Sequence, residues 1–231
     1  MNVAIIAAAG QGSRMGGKRA KQFLELAGIP VIFHTLRPFE QCEVIQEIIV
    51  VVPAPEVAGF LSRAGKRPLR KVTRVVPGGA TRAESVQRGL QAVLGATAGV
   101  IAVHDGVRPF VTPDEIARTV RAAEESEAAI LVAPVTDTIK EVSEGKVIRT
   151  MPRSQLRRAL TPQCFRYDLL RRAYDKVDIS DPELTDDSFL VERLGVKVVT
   201  VAGSALNIKI TTPSDLVLAE ALLKESVVSS Q

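Results

Sequence analysis

Aromatic and sulfur-containing side chains are scarce in this chain of 231 residues, which has no tryptophan, two tyrosines and two cysteines. Cys42 and Cys164 lie far apart and have no His or Cys at metal-ligand spacing, so neither a disulfide framework nor a zinc site is indicated. With so few aromatic residues, the stacking platform of single-strand nucleic-acid binders is missing. We therefore expect no nucleic-acid partner.

Long apolar runs are also missing. The first run, at residues 3–9, is too short to span a bilayer and lacks the basic leader and cleavage site of a signal peptide, so we interpret it as a buried strand. Together with the low cysteine count, this predicts a cytoplasmic protein that makes no membrane contact. The hydrophobic share of 46% is enough for a core, and the length suits a single domain over residues 1–231.

The charge balance is basic, with a net charge of +4 and a pI of about 9.2. Such a balance is compatible with nucleic acid, an acidic surface or phosphorylated small substrates, and composition does not choose among them. The densest basic stretch, residues 63–74, contains no aromatic residue, and we interpret it as a solvated face.

Apolar runs rich in Val and Ile alternate with amphipathic segments along the chain. The runs predict strands at residues 3–8, 48–52, 72–76, 100–104, 129–133 and 196–201. Helical patterns lie at residues 31–39, 82–94 and 113–125. The third pattern has Thr112 as its N-cap and Pro113 in its first turn. This β-α-β-α order predicts an α/β fold in which helices cover both faces of a mostly parallel sheet.

One region interrupts that order, between residues 136 and 156. Two short alternating stretches, at 138–142 and 147–151, flank the polar turn 143–146, and this pattern predicts a β-hairpin. Such a hairpin either lies on the surface of its own chain or projects towards a partner. Its exit carries several basic residues, namely Arg149, Arg153, Arg157 and Arg158.

A glycine-rich stretch at residues 10–17 directly follows the first strand. Its small residues let backbone N–H groups approach a polyphosphate, while Arg14, Lys18 and Lys21 supply positive charge. A plain strand-to-loop turn and a dinucleotide fingerprint are the alternatives, because a glycine pattern alone is weak. Against the fingerprint, Met15 stands where its third glycine belongs. The stretch also lacks the Gly-Lys-Ser/Thr of a Walker loop.

Further candidate residues lie near the predicted strand ends. Asp105 ends an apolar strand, at the sheet edge where open α/β proteins bind ligands, and a carboxylate there suits Mg²⁺; a turn-capping Asp is the alternative. We interpret the adjacent His104 as structural. Arg108 either holds a substrate phosphate or neutralises Asp105. Residues 207–211 alternate like a strand, which would put Lys209 on a polar face; a surface lysine is the alternative.

These motifs resemble a known family. The run Ala-Ala-Gly-x-Gly-x-Arg-Met at residues 8–15, followed by Lys-Gln-Phe-Leu at 21–24, is similar to the N-terminal signature of sugar-phosphate and polyol-phosphate nucleotidyltransferases. It most resembles the 2-C-methyl-D-erythritol 4-phosphate cytidylyltransferases of the non-mevalonate isoprenoid pathway. Further motifs agree in order and spacing: Gly78-Gly79 with Arg82 and Ser85, then 104–109, 137–140, 161–163, 185–187 and 207–211. Where the family usually has an acidic or polar residue after the two glycines, this chain has Ala80.

The resemblance implies a fold and an activity. The fold is a three-layer Rossmann-like nucleotidyltransferase fold, with a mostly parallel sheet and an inserted β-hairpin arm. The activity is transfer of CMP from CTP to 2-C-methyl-D-erythritol 4-phosphate, by in-line attack of the acceptor phosphate on the α-phosphate, with release of pyrophosphate. The sister activity on ribitol 5-phosphate is the closest alternative, although Arg153 and its neighbours favour the methylerythritol enzymes. A dinucleotide-dependent oxidoreductase is the alternative from another class.

The resemblance also implies roles for individual residues. Those expected in catalysis are Arg14, Lys21 and Lys209. Those expected to bind CTP are Ala8, Ala9, Gly10, Gly12, Gly79, Ser85 and Asp105, with Asp105 also a ligand of Mg²⁺ or another divalent cation. Those expected to bind the acceptor are Arg108, Thr138, Arg153, Thr161 and Thr185. Because Thr138 and Arg153 match residues that reach the neighbouring subunit, the 136–156 arm implies a homodimer.

Overall fold

The structure is a computed structural model that describes residues 1–10, 20–94, 98–176, 178–179, 181 and 184–228. The strands are β1 (Val3–Ala7), β2 (Glu25–Leu26), β3 (Ile29–Pro30), β4 (Glu47–Val52), β5 (Val72–Pro77), β6 (Val100–Asp105), β7 (Ala128–Pro134), β8 (Lys140–Ser143), β9 (Lys146–Thr150), β10 (Arg157–Arg166) and β11 (Val199–Ala202). The α-helices are α1 (Val31–Gln41), α2 (Val57–Ala64), α3 (Arg82–Gln91), α4 (Pro113–Ser126), α5 (Tyr167–Lys176), α6 (Asp187–Glu192) and α7 (Pro213–Val228). Short 3₁₀ turns occupy Lys21–Phe23, Ala54–Glu56 and Arg153–Gln155.

Seven of the strands form one mixed sheet, in the order β11-β7-β10-β6-β1-β4-β5. β1 pairs in parallel with β4 and β6, β4 pairs in parallel with β5, and β11 pairs in parallel with β7. Only β10 runs antiparallel, between β6 and β7. The predicted mostly parallel sheet is confirmed, and all six predicted strands are present, the last shortened to Val199–Ala202.

The sheet is buried on both faces, which explains why its strands are continuous apolar runs. In β1, Ala4 and Ile6 pack in the core formed with α1, α2 and α4, while Val3 and Ile5 pack in the core formed with α3, α5 and α6. Parallel strands covered by helices lose the polar alternation of half-exposed strands. The resulting arrangement has three layers, as predicted for a Rossmann-like nucleotidyltransferase fold.

The capping of α4 follows from its first residues. The Thr112 hydroxyl accepts a hydrogen bond from the backbone N–H of Glu115, and the Glu115 carboxylate accepts one from the backbone N–H of Thr112. This reciprocal arrangement satisfies two N–H groups that the helix leaves unpaired, and Pro113 in the first turn needs no partner. The predicted N-cap at Thr112 is confirmed.

Two features of the fold differ from the sequence-based predictions. The apolar pattern gives no sign of β10, because its first residues, Arg157 and Arg158, are exposed and only its later residues are buried. The predicted strand at residues 207–211 is wrong: this segment pairs with no other strand in the described part of the chain. It is held by single hydrogen bonds instead, such as that from the Ile210 N–H to the Val107 carbonyl (2.9 Å).

The predicted hairpin is present as β8 and β9, which pair in antiparallel register with Lys140 opposite Thr150. Glu144 and Gly145 have φ angles of 49° and 75°, as a two-residue hairpin turn of right-handed twist requires. Both strands are exposed along their length, and they carry apolar side chains at Val142, Val147 and Ile148 that are 57–60% exposed. The role of the hairpin in dimerisation stays a prediction.

None of the helices in the described residues has the length and apolar composition of a membrane-spanning segment.

Candidate active site

A cavity of about 290 Å³ opens at the carboxyl ends of β1 and β6. The register of these strands places Ala7 opposite Asp105, so the segments that follow them form adjacent walls. The loop before α3 and the segment after β11 complete the cavity. It is lined by Ala7, Ala8, Ala9, Gly10, Lys21, Gln22, Gly79, Ala80, Thr81, Arg82, Ser85, Asp105, Val107 and Lys209.

Most residues predicted to bind CTP or to act in catalysis lie around this one cavity. They are Ala8, Ala9, Gly10, Lys21, Gly79, Ser85, Asp105 and Lys209. Gly12 and Arg14 lie outside the described residues. The fold therefore brings together segments that are far apart in sequence, as ligand binding at the carboxyl edge of an open α/β sheet requires.

Close backbone packing builds the wall formed by Ala8 and Ala9. A Cβ on Gly106 would lie 2.6 Å from the Ala8 Cβ, and one on Gly78 would lie 2.1 Å from the Ala9 Cβ, so neither position has room for a side chain. The buried Gln22, to which the sequence assigned no role, donates a hydrogen bond from Nε2 to the Ala8 carbonyl (2.6 Å). Side-chain and backbone packing thus fix the chain just before the glycine-rich stretch.

The loop before α3 is ordered by its own hydroxyl groups. The Ser85 hydroxyl donates to the Thr81 carbonyl (2.8 Å) and accepts from the Gly79 N–H (3.1 Å). Thr81 caps α3 by accepting a hydrogen bond from the Glu84 N–H. Because both hydrogen bonds of the Ser85 hydroxyl lie within the loop, this hydroxyl holds the shape of the wall that contains Gly79.

A cluster of three cationic side chains surrounds the buried carboxylate of Asp105. Its Oδ1 accepts from Arg82 Nε (3.0 Å), and its Oδ2 contacts Arg108 Nε (3.2 Å) and Lys209 Nζ (2.9 Å). Burial alone would raise the pKa of Asp105, but the charges of Arg82, Lys209 and Arg108 outweigh it and hold this pKa well below its usual value. Asp105 is therefore ionised at neutral pH, and its charge draws Lys209 to the cavity.

The segment that carries Lys209 is anchored to the same cluster. Arg108 Nη1 donates to the backbone carbonyl of Asn207 (2.9 Å), and Asn207 Nδ2 donates to the backbone carbonyl of Thr161 (2.9 Å). Asn207 is fully buried, whereas the Lys209 side chain is about one-third exposed. The ammonium group can thus meet a ligand while its backbone stays fixed.

His104 lies behind the carboxylate and is fully buried. Burial is the main reason that its pKa is lowered to about 4, so the ring is neutral near pH 7. Its Nε2 faces the Arg108 carbonyl (3.1 Å), which can only accept, so Nε2 carries the proton and Nδ1 accepts from the Thr161 hydroxyl (2.9 Å). The Thr161 oxygen in turn accepts from the backbone N–H of Asp105 (3.2 Å). The hydroxyl of Thr161, a residue predicted to line the acceptor pocket, is thus hydrogen-bonded to His104 and to the backbone of Asp105.

A second carboxylate lies on the far side of Arg82, and the sequence assigned a role to neither residue. Arg82 Nη1 pairs with Asp187 Oδ2 (2.8 Å), and the Tyr174 hydroxyl donates to Asp187 Oδ1 (2.6 Å). Burial by itself would lower the pKa of Arg82. The negative charges of Asp187 and Asp105 raise it by more, so the net pKa is above its usual value and the guanidinium keeps its charge. The predicted acceptor residue Thr185 is exposed near this pair and lines a small cavity with it. In the sequence, this pair is indicated only by the position of Arg82, in the first turn of the helix that follows Gly78-Gly79.

The other two predicted acceptor residues lie on the hairpin. Thr138 and Arg153 are exposed, and Arg153 Nη1 donates to the Thr136 carbonyl (2.7 Å). Neither lines the cavity of the described chain. None of the five predicted acceptor residues lines this cavity, so the contact of Thr138 and Arg153 with a neighbouring subunit stays a prediction.

The oxygen ligands available at Asp105 determine which metal ion the cavity could bind. In the described residues, no group of three or more His, Cys, Asp or Glu side chains could hold a metal by itself. Asp105 is the one carboxylate that lines the described cavity, so the protein would supply a single hard oxygen ligand. That set fits Mg²⁺, which retains waters and takes its other ligands from substrate phosphates, provided that one cationic partner leaves Asp105.

Several proteins with known names resemble the chain over nearly its full length. The sequence profile of one family, 2-C-methyl-D-erythritol 4-phosphate cytidylyltransferase, matches residues 2–225. A protein of this name from Geobacter metallireducens is 45% identical over 228 residues, which cover 97% of this chain and 98% of that protein.

Solved structures also resemble the chain over nearly its full length. The crystal structure of 4-diphosphocytidyl-2C-methyl-D-erythritol synthase from Anaerococcus prevotii matches with a TM-score of 0.85 and 32% identity, and covers 96% of this chain and 98% of that chain. The crystal structure of 2-C-methyl-D-erythritol 4-phosphate cytidylyltransferase from Thermus thermophilus matches with a TM-score of 0.75 and 36% identity, over 96% and 98% of the two chains.

We expect His104 to make stability depend on pH. The pKa of His104 is about 4 in the folded protein and 6.5 as the unperturbed group, which represents the unfolded chain. As the pH falls, the unfolded chain therefore binds a proton at a higher pH than the folded protein does. The contribution of the neutral His104 to the free energy of unfolding is fully present above pH 6.5 and is lost as the pH falls towards 4. Between about pH 7 and about pH 4.5 the wild type should lose about 2 kcal/mol more than His104→Asn in the free energy of unfolding.

Urea denaturation of both proteins in chelator-treated buffer measures this difference. Titration of Asp105 contributes to both proteins, so the difference between them reports mainly on His104. Equal pH dependence in the two proteins would show that the buried ring does not stay neutral.

Proposed function

The chain belongs to the 2-C-methyl-D-erythritol 4-phosphate cytidylyltransferase family, and we propose that it transfers the CMP moiety of CTP to 2-C-methyl-D-erythritol 4-phosphate. The products are 4-diphosphocytidyl-2-C-methyl-D-erythritol and pyrophosphate. The family membership agrees with the resemblance inferred from the motifs. It gives no support to a dinucleotide-dependent oxidoreductase, and the names of the relatives favour methylerythritol phosphate over ribitol 5-phosphate.

The cation cluster around Asp105 is the observation that carries the proposal. Arg82, Arg108 and Lys209 converge on this carboxylate at the cavity, and Lys21 also lines the cavity. A site that joins a nucleoside triphosphate to a phosphorylated polyol must hold two polyanions close together. Fixed positive charges in a partly enclosed cavity lower the cost of that approach.

The proposed reaction needs no general base. The attacking oxygen belongs to a phosphate that is already ionised near neutral pH. The described residues that line the cavity include no histidine, and the adjacent His104 is buried and hydrogen-bonded on both nitrogens. The protein therefore acts by positioning and electrostatics in an in-line displacement at the α-phosphorus. Arg14, Lys21 and Lys209 are proposed to stabilise the charge that develops there.

A divalent cation is part of the proposal, since cytidylyltransferases generally use one; we assign Mg²⁺ to Asp105. Mg²⁺ supplies Lewis-acid stabilisation of the phosphate oxygens when bound. Lys209 is the cationic partner best placed to leave Asp105, because its side chain is the most exposed of the three at 36%. It would exchange the carboxylate for an α-phosphate oxygen.

The proposed binding roles follow the position of each residue. Ala8, Ala9, Gly10, Gly12, Gly79 and Ser85 would surround CTP, and Arg108, Thr138, Arg153, Thr161 and Thr185 would surround the acceptor. Thr161 would act through Asp105 and His104, which its hydroxyl contacts.

We further propose one cytidylyltransferase domain over residues 1–231. We also propose a cytoplasmic location, which suits the free, buried thiols of Cys42 and Cys164.

A homodimer through the 136–156 arm completes the proposal. The arm presents a hairpin with exposed apolar side chains at Val142, Val147 and Ile148, which a partner surface would cover. Thr138 and Arg153 lie on the arm, away from the cavity of their own chain. Each arm would carry them to the acceptor site of the other subunit.

Incubation with CTP, Mg²⁺ and one acceptor at a time tests the function. We expect pyrophosphate release with 2-C-methyl-D-erythritol 4-phosphate. Release with ribitol 5-phosphate alone would overturn the acceptor assignment. Thermal shift assays separate the reaction classes, because CTP with Mg²⁺ should protect the protein against heat, whereas an oxidoreductase would be protected by NAD(P)H.

Removal of the Lys209 ammonium group should lower turnover strongly. Lys209→Ala and Arg14→Ala are each expected to lower kcat by about 100-fold or more, by analogy with the removal of one preorganised donor at an oxyanion site. Lys197→Ala removes an exposed lysine and serves as the matched control, with kcat unchanged. Steady-state pyrophosphate assays measure the effect, and near wild-type turnover in either site variant would show that its assignment is wrong.

Mixing two inactive variants tests whether the arm acts on the neighbouring subunit. Lys209→Ala and Arg153→Ala homodimers should each be nearly inactive. In a mixed dimer, the subunit with intact Lys209 receives intact Arg153 from its partner, so one of the two sites is complete. Activity should therefore return after subunit exchange; no recovery in mixed dimers verified by native mass spectrometry would exclude action in trans.

A further inference from the structure

A carboxylate buried at the start of α6 is not explained by any role assigned so far. Asp187 is 1% exposed. Its Oδ1 accepts the hydroxyl proton of Tyr174 (2.6 Å), and its Oδ2 pairs with Arg82 Nη1 (2.8 Å). Burial and the neighbouring Asp187 carboxylate raise the pKa of Tyr174, so the tyrosine remains a hydrogen-bond donor.

The backbone of Asp187 is fixed to the central sheet. Gln163, on β10, accepts hydrogen bonds at Oε1 from the backbone N–H groups of Asp187 (3.0 Å) and Ser188 (3.1 Å). Its Nε2 donates to Asp186, which caps α6. The backbone of Asp187 is therefore anchored to β10, the strand that also carries Thr161.

Arg82 connects this fixed carboxylate to the cavity. Its Nε donates a hydrogen bond to Asp105 Oδ1 (3.0 Å), and its Nη1 forms an ion pair with Asp187 Oδ2 (2.8 Å), so one guanidinium contacts both acids. The side chain is 30% exposed and lines the cavity, whereas Asp187 does not line it. Arg82 therefore links Asp187 to the cavity.

We propose that Asp187 is a positioning residue for nucleotidyl transfer, which acts by holding Arg82 against Asp105; this inference rests on the proposed function. With both acids in place, the guanidinium is attracted to both at once, which restricts its orientation. Without Asp187, Arg82 would turn fully onto Asp105 or onto a substrate phosphate. The two carboxylates also balance the cations, so that Asp105 is not over-neutralised before a ligand arrives.

The chemistry of the pair argues against a purely stabilising role. A buried ion pair is often no more stabilising than well-packed apolar residues, because both ions lose their hydration. Here one member of the pair lines the cavity, and the anchoring helix begins two residues after Thr185, a proposed acceptor ligand. The anchor for Arg82 therefore lies beside the segment that is expected to meet the acceptor.

Asp187→Asn removes the charge while keeping the shape of the side chain. We expect kcat to fall about 10- to 100-fold, the size of effect that a misplacement of about 1 Å produces. Asp175→Asn changes an exposed carboxylate next to Tyr174 on α5; it is the matched control and should keep wild-type kcat. Wild-type kcat in a folded Asp187→Asn would overturn the proposal.

A double-mutant cycle separates positioning from folding. In an Arg82→Ala background, Asp187→Asn should cause little further loss of kcat, because the group it positions is already gone. Full additivity of the two losses would overturn the proposal. If Asp187→Asn does not fold, Tyr174→Phe replaces it: a smaller loss of kcat is expected, which must also vanish in the Arg82→Ala background.

A spectroscopic measurement makes the inference independent of turnover. The ¹⁵N-resolved Nε–H signal of Arg82 should exchange slowly with water in the wild type and faster in Asp187→Asn; equal exchange rates would overturn the inference. Absence of pyrophosphate release from the wild type would instead overturn the proposed function, and this exchange comparison would still decide whether Asp187 holds Arg82.

Discussion

The carboxylate of Asp105 is the constraint on which the rest of the site depends. It ends the central strand β6 and is nearly buried, and an ionised carboxylate in such a place costs several kcal/mol unless it is paired. Arg82, Arg108 and Lys209 provide that pairing from three separate segments. The same contacts that stabilise a buried anion therefore collect the cations that a phosphate-transfer site requires.

The parts of the molecule behind this cluster hold it in place. His104 is kept neutral by burial, so it adds no charge beneath Asp105 and serves as a fixed hydrogen-bonding group between Arg108 and Thr161. Asn207 ties the segment that carries Lys209 to the strand that contains Thr161. A site ordered before its ligand arrives can stabilise developing charge without reorganising at the moment of reaction.

A local sequence pattern predicts the structure where it agrees with the tertiary environment. Residues 3–8 and 100–104 were recognised as strands because both faces of the sheet are covered, and Asp105 was recognised because it ends one of them. Residues 207–211 alternate but have no partner strand in the described part of the chain. In β10, the exposed Arg157 and Arg158 conceal the apolar pattern of the buried second half. Alternation reports which residues are buried, and only pairing makes an extended segment a strand.

By itself, the sequence determined the α/β class, the positions of six strands along the chain, the hairpin and the family, because these follow from local burial patterns and from motifs of fixed order and spacing. Only the tertiary structure decided which charges meet. Arg82 lies between Asp105 and Asp187, residues that are distant in the chain, and the Thr161 hydroxyl is turned towards His104 instead of the cavity. Such contacts depend on how strands and helices pack, and no local pattern encodes them.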